Sequence, residues 1–559
     1  MSLPSAWSKI RPLVGTLAGL SFFINLLFLA PAFFMLQVFD RVIPSNSWET
    51  LVVLLAGTLL ALLILLGLDY VRNRLQHVIG SIVDEQLSPP VVSALVARAA
   101  SAGRGASSDG VRDVASLRSL FASNGAVALF DAPWAVVYVL VITAIHPALG
   151  MGAAAAALLM LLLAWLNDCA TRRVIEQAQH QGRRSAQYVE SSLRNAEVIH
   201  ALGMAANLLL RWGQLKDRLA LLQSSASRGS VVFTALTRFT RQAIQVLMLA
   251  LGAYLVLMQE ASLGVMIAST ILLGRALQPI EQVVSSWRLL SEARAAYHRL
   301  RELSDDAGEG VVRVAIPRPS GRLVAEGVSY RMHGHDRPVL SNIAFALDAG
   351  DTLAIIGPSA AGKSTLARLL TGIWRPHSGA VRVDGANVAV WPREQLGPAM
   401  GYVPQDVELF EGTVADNIAR LGPVDSAAVV AAAERANVHE MILGLPQGYD
   451  TAVGAQGALL TPGQRQRIAL ARALYGDPRF VVLDEPNSNL DASGEAALAQ
   501  ALALLREQGV TLIVITHRPS LLSHVDKILL LQAGRIQQFG PAAQVMRSVR
   551  PLHAAASAA

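Results

Sequence analysis

From Ala132 to Asn167 the chain carries no Asp, Glu, Lys or Arg. The run is broken at His146-Pro147-Ala148-Leu149-Gly150, so it reads as two apolar helices joined by a tight hairpin. Each is close to the ~20 residues needed to cross a hydrocarbon layer of about 30 Å. Leu13 to Leu36, Leu51 to Leu68, Gln242 to Gln259 and Ala261 to Gly274 are equally free of charge. Together they predict six membrane spans, near 13–36, 50–69, 125–146, 149–168, 240–259 and 261–283. Composition agrees, with 53% hydrophobic and 16% charged residues, against the ~25% charged of soluble domains. Lys9 and Arg11 precede the first run, which is too long for the apolar core of a cleaved signal peptide and reads as a membrane helix. Cys169 is the single cysteine, which excludes an intramolecular disulfide and a cysteine metal cluster. It reads as a small buried hydrophobe.

The net charge of +6 would suit a nucleic-acid partner, but its distribution points elsewhere. Six Arg lie in the 69–125 connection and eleven Arg or Lys in 168–241, whereas the loops on the other side carry only Arg41. Positive charge marks the cytoplasmic side, so the sequence predicts cytoplasmic termini and no nucleic-acid binding. The two long connections lack dense Gly/Pro punctuation and contain helix-like stretches such as Arg194 to Leu222. They are expected to extend the membrane helices into the cytosol.

The grammar changes after residue 303. A polar, Pro/Gly-rich linker is expected at 304–320, then an α/β domain at 321–552, where short β-branched runs alternate with Ala/Leu-rich helical ones. The tail, 553–559, is expected to be disordered. "TLAIIGPSAAGKSTLARLL" places a strand before Gly357 and a helix after Gly362, the context that gives a P-loop meaning. Gly357, Pro358, Ser359, Ala360, Ala361, Gly362, Lys363, Ser364 and Thr365 would cradle phosphates by backbone N–H groups and the helix N-terminus. Lys363 adds a point charge, and Ser364 a hydroxyl for Mg²⁺. "FVVLDEP" ends an apolar strand in two carboxylates: Asp484 for the Mg²⁺ shell, Glu485 to polarise the attacking water. "TLIVITHR" delivers His517 toward the γ-phosphate, and "YVPQD" offers Gln405 as a Mg²⁺ or water contact that senses the membrane half.

The order P-loop, Gln, signature helix, Asp-Glu, Asp, His resembles the ATP-binding cassette superfamily across the whole second half. The fold implied is an all-α six-span exporter domain (1–303) followed by an α/β P-loop cassette. The resemblance implies that Tyr330 stacks on adenine, that Ser488 to Asp491 form the D-loop, and that two cassettes sandwich two ATP. One cassette per chain then implies a homodimer. It also implies that Thr461, Gly463 and Gln464 of the signature turn reach the ATP of the opposite cassette. That turn reads Leu-Thr-Pro-Gly-Gln where the family has Leu-Ser-Gly-Gly-Gln. Thr461 keeps a hydroxyl and Gly463 an N–H, while Pro462 suits a first helical position after a Thr cap. The turn is therefore expected to remain active.

Four membrane-half segments, 33–51, 129–150, 194–204 and 264–287, resemble the type I secretion permease/ATPases, closest to the exporters of proteases, lipases and haem-binding proteins. This implies an ATP-hydrolysing translocase in the bacterial inner membrane that exports unfolded polypeptide. Its implied partners are a periplasmic adaptor and an outer-membrane tunnel protein. With the first span beginning near residue 13, no N-terminal peptidase domain is expected, and the implied cargo is unprocessed. Asp40 and Arg41 read as interface markers or functional charges. Arg275 and Glu281 read as snorkelling side chains at the inner end of the sixth span, or Arg275 as lining the substrate entrance. The alternatives are an exporter of lipids or small amphiphiles on the same scaffold, and a membrane-tethered ATPase that regulates a partner without transport.

Overall fold

The computed structural model describes residues 3–102, 109–306, 317–332 and 337–547. Residues 307–316 of the expected linker and the tail at 553–559 lie outside the described residues. Internal packing divides the chain into two units, 1–309 and 310–559.

The described residues of the first unit are helical. The elements used below are α1 (Leu3–Leu27), α2 (Ala30–Gln37), α3 (Trp48–Ala102), α4 (Asp109–Phe121), α5 (Asn124–Asp131), α6 (Trp134–Ile145), α7 (Pro147–Leu193), α8 (Ala205–Leu257), α9 (Leu263–Ser285) and α10 (Trp287–Asp306). Among the described residues five helical stretches are long and apolar enough to cross a membrane, and α5 with α6 makes a sixth that bends by 41°. The bend falls at Ala132-Pro133, where proline has no N–H to continue the ladder. On α3, Leu55, Leu59, Leu63 and Leu66 stand exposed, a face suited to hydrocarbon rather than water.

Helices α3, α7 and α8 run for 55, 47 and 53 residues. At about 1.5 Å per residue each is roughly twice the ~30 Å of a bilayer core or more. The long connections are thus continuous with the spans, as their pattern indicated. The stretch from Arg194 to Leu222 is not one helix. α7 stops at Leu193, a short helix covers Ala196–Ala201, and α8 starts at Ala205. Asn195 leaves the helical region and Gly203 takes a positive φ of 62°, a turn that helical periodicity does not reveal.

Two apolar cores hold this unit. Tyr138, Ile142, Leu149, Met160, Leu272, Leu273 and Leu277 fill one; Ile10, Leu17, Ile79, Val83, Val114, Ala296 and Leu300 fill the other. At the end of the first span a π-turn, Val38–Val42, presents Asp40. Its carboxylate accepts from the Gly264 N–H (3.1 Å) and the Ser262 hydroxyl (2.7 Å). Ser262 itself caps α9 by accepting from the Val265 N–H. Asp40 is therefore a structural cap that joins the first and last spans. A Cβ at position 264 would sit 2.5 Å from the Asp40 carboxylate, so this junction requires glycine.

In the second unit β1 (Leu323–Tyr330), β2 (Leu340–Leu347), β4 (Ser378–Val383) and β5 (Ala386–Asn387) form an antiparallel sheet in the order β2-β1-β4-β5. A six-stranded sheet runs β10-β9-β3-β8-β7-β6. Its members are β3 (Thr352–Ile356), β6 (Met400–Val403), β7 (Phe480–Asp484), β8 (Thr511–Ile515), β9 (Lys527–Gln532) and β10 (Arg535–Pro541). All pair in parallel except β10. Strands β7 and β8 are buried at every residue, which explains their unbroken apolar runs: a parallel strand is covered on both faces. The helices that matter for function are α11 (Lys363–Leu370), α12 (Pro462–Leu474) and α13 (Ala492–Glu507).

Candidate functional site

The carboxyl ends of β3, β6, β7 and β8 lie side by side, the edge where open α/β sheets bind ligands. After β3 the chain turns through Gly357, Ala360 and Gly362, the last two at φ of 63° and 99°. A Cβ at Gly357 would lie 2.1 Å from the Leu531 carbonyl oxygen, so backbone packing fixes glycine there. Lys363 begins α11, is buried, and donates from Nζ to the carbonyls of Gly357 (2.9 Å) and Pro358 (3.0 Å). Burial pushes its pKa down, opposed by the nearby charges of Glu485 and Asp484. Pro358, Ser359 and Ala360 are exposed at the loop tip, Ala361 packs inward, and Ser364 and Thr365 follow in the first turn.

Asp484 ends β7 and is 2% exposed. Burial raises its carboxyl pKa, and the Glu485 charge adds to this, against a hydrogen bond from Ser364 and the charges of Arg368 and Lys363. Its Oδ1 is buried without a hydrogen-bond partner. An orphaned carboxylate oxygen beside a serine hydroxyl is the donor set that a hard dication takes, so Mg²⁺ fits here.

Glu485 follows at a φ of 49°, a costly conformation for a non-glycine residue. Three bonds to its backbone hold it: its N–H donates to the Ile515 carbonyl (3.0 Å), and its carbonyl accepts from Gln466 Nε2 (3.1 Å) and from the Ser488 N–H (3.2 Å). The side chain then lies between Gln405, which donates to Oε2 at 3.1 Å, and His517, whose Nε2 is 3.4 Å from Oε1. Gln405 follows β6 and His517 follows β8, so adjacent strands deliver all three groups. A carboxylate oriented from both sides can align and polarise a water.

Tyr330 sits apart, at the end of β1 in the antiparallel sheet. Its ring stacks on Trp374 at 5.1 Å and 17°, with the Arg368 guanidinium over Trp374. This builds an aromatic shelf of the type a base can extend. Thr461 caps α12: its hydroxyl accepts from the Gln464 N–H (3.2 Å), and the Gln464 side chain accepts from the Thr461 N–H (2.9 Å). With Pro462 at the first helical position, this is a complete capping box. Gln464 thus spends its side-chain oxygen within the cap. Thr461 is exposed, and the hydrogen bonds of Thr461 and Gln464 stay within the helix start. The structure brings Lys363, Ser364, Asp484, Glu485, Gln405 and His517 together, and the hydrogen bonds of Thr461 and Gln464 reach none of them.

Sequence reasoning missed Gln466. It is 2% exposed, donates to the Glu485 carbonyl, and accepts the Asn489 N–H at 3.1 Å. The available signal was its face: Gln466, Leu470 and Ala473 share the apolar stripe of α12, and a buried amide must find partners. Asp491 caps α13 by accepting from the Gly494 N–H at 2.8 Å, and backbone and Ser493 hydrogen bonds hold its carboxyl pKa down.

A P-loop, a paired Asp-Glu strand end and a capped signature helix on this sheet define an ATP-binding cassette. Residues 340–488 match the ABC transporter family and 15–279 the ABC transporter transmembrane region. Over 531 residues the chain is 42% identical to the type I secretion system ATP-binding protein PrsD of Rhizobium meliloti, covering 94% of this chain and 91% of that one. It is 28% identical to the cyclolysin secretion/processing ATP-binding protein CyaB of Bordetella pertussis, covering 95% and 75%. In three dimensions it resembles a bacterial Atm1-family ABC exporter with ATP bound, with a TM-score of 0.78, 23% identity and 97% of each chain covered. The chain belongs to the ABC transporters, on the branch of the type I secretion ATP-binding proteins, and is a multi-pass membrane protein with an ATP-binding domain.

Proposed function

We propose that this protein is an ATP-driven inner-membrane exporter of unfolded polypeptide in a type I secretion system. The observation that carries this reading is the 42% identity to a type I secretion protein, which runs through the membrane unit as well as the cassette. The six spans hold the bounds given above, with both termini in the cytoplasm. A homodimer works with a periplasmic adaptor and an outer-membrane tunnel protein.

The roles of the site residues follow from the chemistry of their surroundings. The P-loop from Gly357 to Thr365 wraps the phosphates. Lys363 exchanges its two carbonyl partners for phosphate oxygens, and Tyr330 on its Trp374 shelf takes the adenine. Ser364 and Asp484, with Gln405, hold Mg²⁺, which neutralises phosphate charge. Glu485 aligns the water, and His517 contacts the γ-phosphate while steadying Glu485. Thr461 still has its hydroxyl proton to donate, because the cap uses the oxygen only as acceptor. That proton and the Gly463 N–H face the nucleotide of the partner subunit. Closure of the two cassettes on ATP is carried to the spans by the long extensions of α3, α7 and α8, and hydrolysis reopens the dimer.

The test is transport in inverted membrane vesicles containing the adaptor, with an unfolded secreted polypeptide as cargo. ATP-dependent protection of that cargo from protease, lost in Glu485→Gln, is the expected result. ATP-dependent movement of lipid or a small amphiphile, with no cargo protection, would replace this reading with the alternative exporter.

A further inference from the structure

The membrane unit contains a partly open polar cavity of about 310 Å³ between α1, α3, α5, α6 and α9. Most of the charge in its wall is already spoken for. Arg72, 8% exposed, bridges Asp69 at 2.6 Å and Asp131 at 3.2 Å. Asn25 donates to Asp131 at 2.7 Å, and the Tyr138 hydroxyl donates to the Asn25 carbonyl at 2.8 Å. Arg275 is different. Its guanidinium lies over the Phe28 ring at 3.9 Å and donates one hydrogen bond, to Gln278 at 3.2 Å. Among the described residues it faces no carboxylate within ion-pair distance. A guanidinium has five donors in a planar fork, so its remaining edge is open to the cavity. Gln278 Nε2 and the whole amide of Gln282, also in the wall, form no hydrogen bond to the described protein.

An ionisable group at membrane depth is costly, and it persists where it meets a partner or a pathway. The partner of Arg275 is not in this wall. We propose that the cavity is a cargo-binding site in which Arg275 takes a carboxylate of the exported polypeptide. Gln278 and Gln282 pair with the adjoining peptide groups. A guanidinium fork matches a carboxylate in two parallel bonds, and an amide side chain offers a donor and an acceptor at once, as backbone does. A cavity of about 310 Å³ gives room for a short extended segment and not for a folded domain. The carboxylate comes from an Asp or Glu side chain or from the chain terminus. This inference rests on the polypeptide-export reading.

The experiment uses the full-length protein in lipid nanodiscs. A decapeptide bearing a neutral fluorophore, one Asp and a free C-terminus is titrated by anisotropy, alongside its Asp→Asn and C-terminally amidated forms. Arg275→Gln is expected to weaken binding of the charged peptide about tenfold, the scale of one charge contact at short range in a partly wet site. Arg275→Lys is expected to fall between, which also shows that the position tolerates change. In wild type, removal of the carboxylate that binds has the same effect, and in Arg275→Gln it has none; the form that loses affinity names the source. Equal binding of charged and neutral peptides, or equal affinity in wild type and Arg275→Gln, would overturn the site while leaving the export reading in place. Failure of every peptide to bind, neutral forms included, would overturn the site together with the reading beneath it.

Discussion

Among the described residues, one buried charged cluster lies at the edge of the cassette sheet and another between membrane helices, and they are finished differently. In the membrane unit Arg72 meets two carboxylates, with its buried Nε left without a partner, and Asn25 bonds the other oxygen of Asp131. In the cassette Asp484 keeps a buried oxygen with no partner, and Lys363 makes do with two backbone carbonyls. A charge completed by its neighbours mainly holds helices together. One left incomplete waits for a ligand of the opposite sign. Arg275 lines the same cavity as the completed cluster yet belongs to the second kind.

This contrast fails if a variant in the open cluster unfolds the protein or one in the closed cluster leaves it intact. Glu485→Gln should reduce ATP turnover by about 10²–10⁴-fold, the weight of a general base, with ATP binding and thermal stability unchanged; phosphate release, nucleotide affinity and a melting curve check it. Arg72→Ala should do the reverse. Leaving the buried Asp131 without its cation costs on the order of 3–5 kcal/mol, read as a large fall in melting temperature in detergent.

The pH profile sharpens the same contrast. Because burial raises the Asp484 pKa, protonation competes with Mg²⁺ at a higher pH than for an ordinary carboxylate, and turnover falls as pH drops through that range. Raising Mg²⁺ should shift the acid limb to lower pH. A limb indifferent to Mg²⁺ would detach it from Asp484. The smallest effect is at the signature turn. Thr461→Ser and Pro462→Gly should preserve or raise ATPase activity, while Thr461→Ala should cost about 1 kcal/mol of stability through the lost cap and lower turnover as well. Collapse of activity in both Thr461→Ser and Pro462→Gly would remove the turn from the site.

What could be read from the chain alone was what depends on near neighbours. The strand–loop–helix around Lys363, the carboxylates ending β7 and the Thr461 cap are each defined within a few residues, so spacing and residue type suffice. The apolar runs gave the spans for the same reason. Gln466, Trp374 beneath Tyr330, and the cavity were not legible, because their partners arrive through tertiary packing. Asn25 meets Asp131 across 106 residues, and no local pattern marks the pair. From sequence Asp40 reads equally as interface marker or functional charge, since its partner Gly264 lies 224 positions away.

That Asp40 contact makes the first and last membrane helices travelling companions on the side away from the long extensions. To part there they would have to give up together the two bonds that the Asp40 carboxylate accepts, from the Ser262 hydroxyl and the Gly264 N–H. A gate on that side therefore opens more readily along another seam, between other helices. One acidic side chain and one missing Cβ thus restrict the directions in which a whole bundle can open.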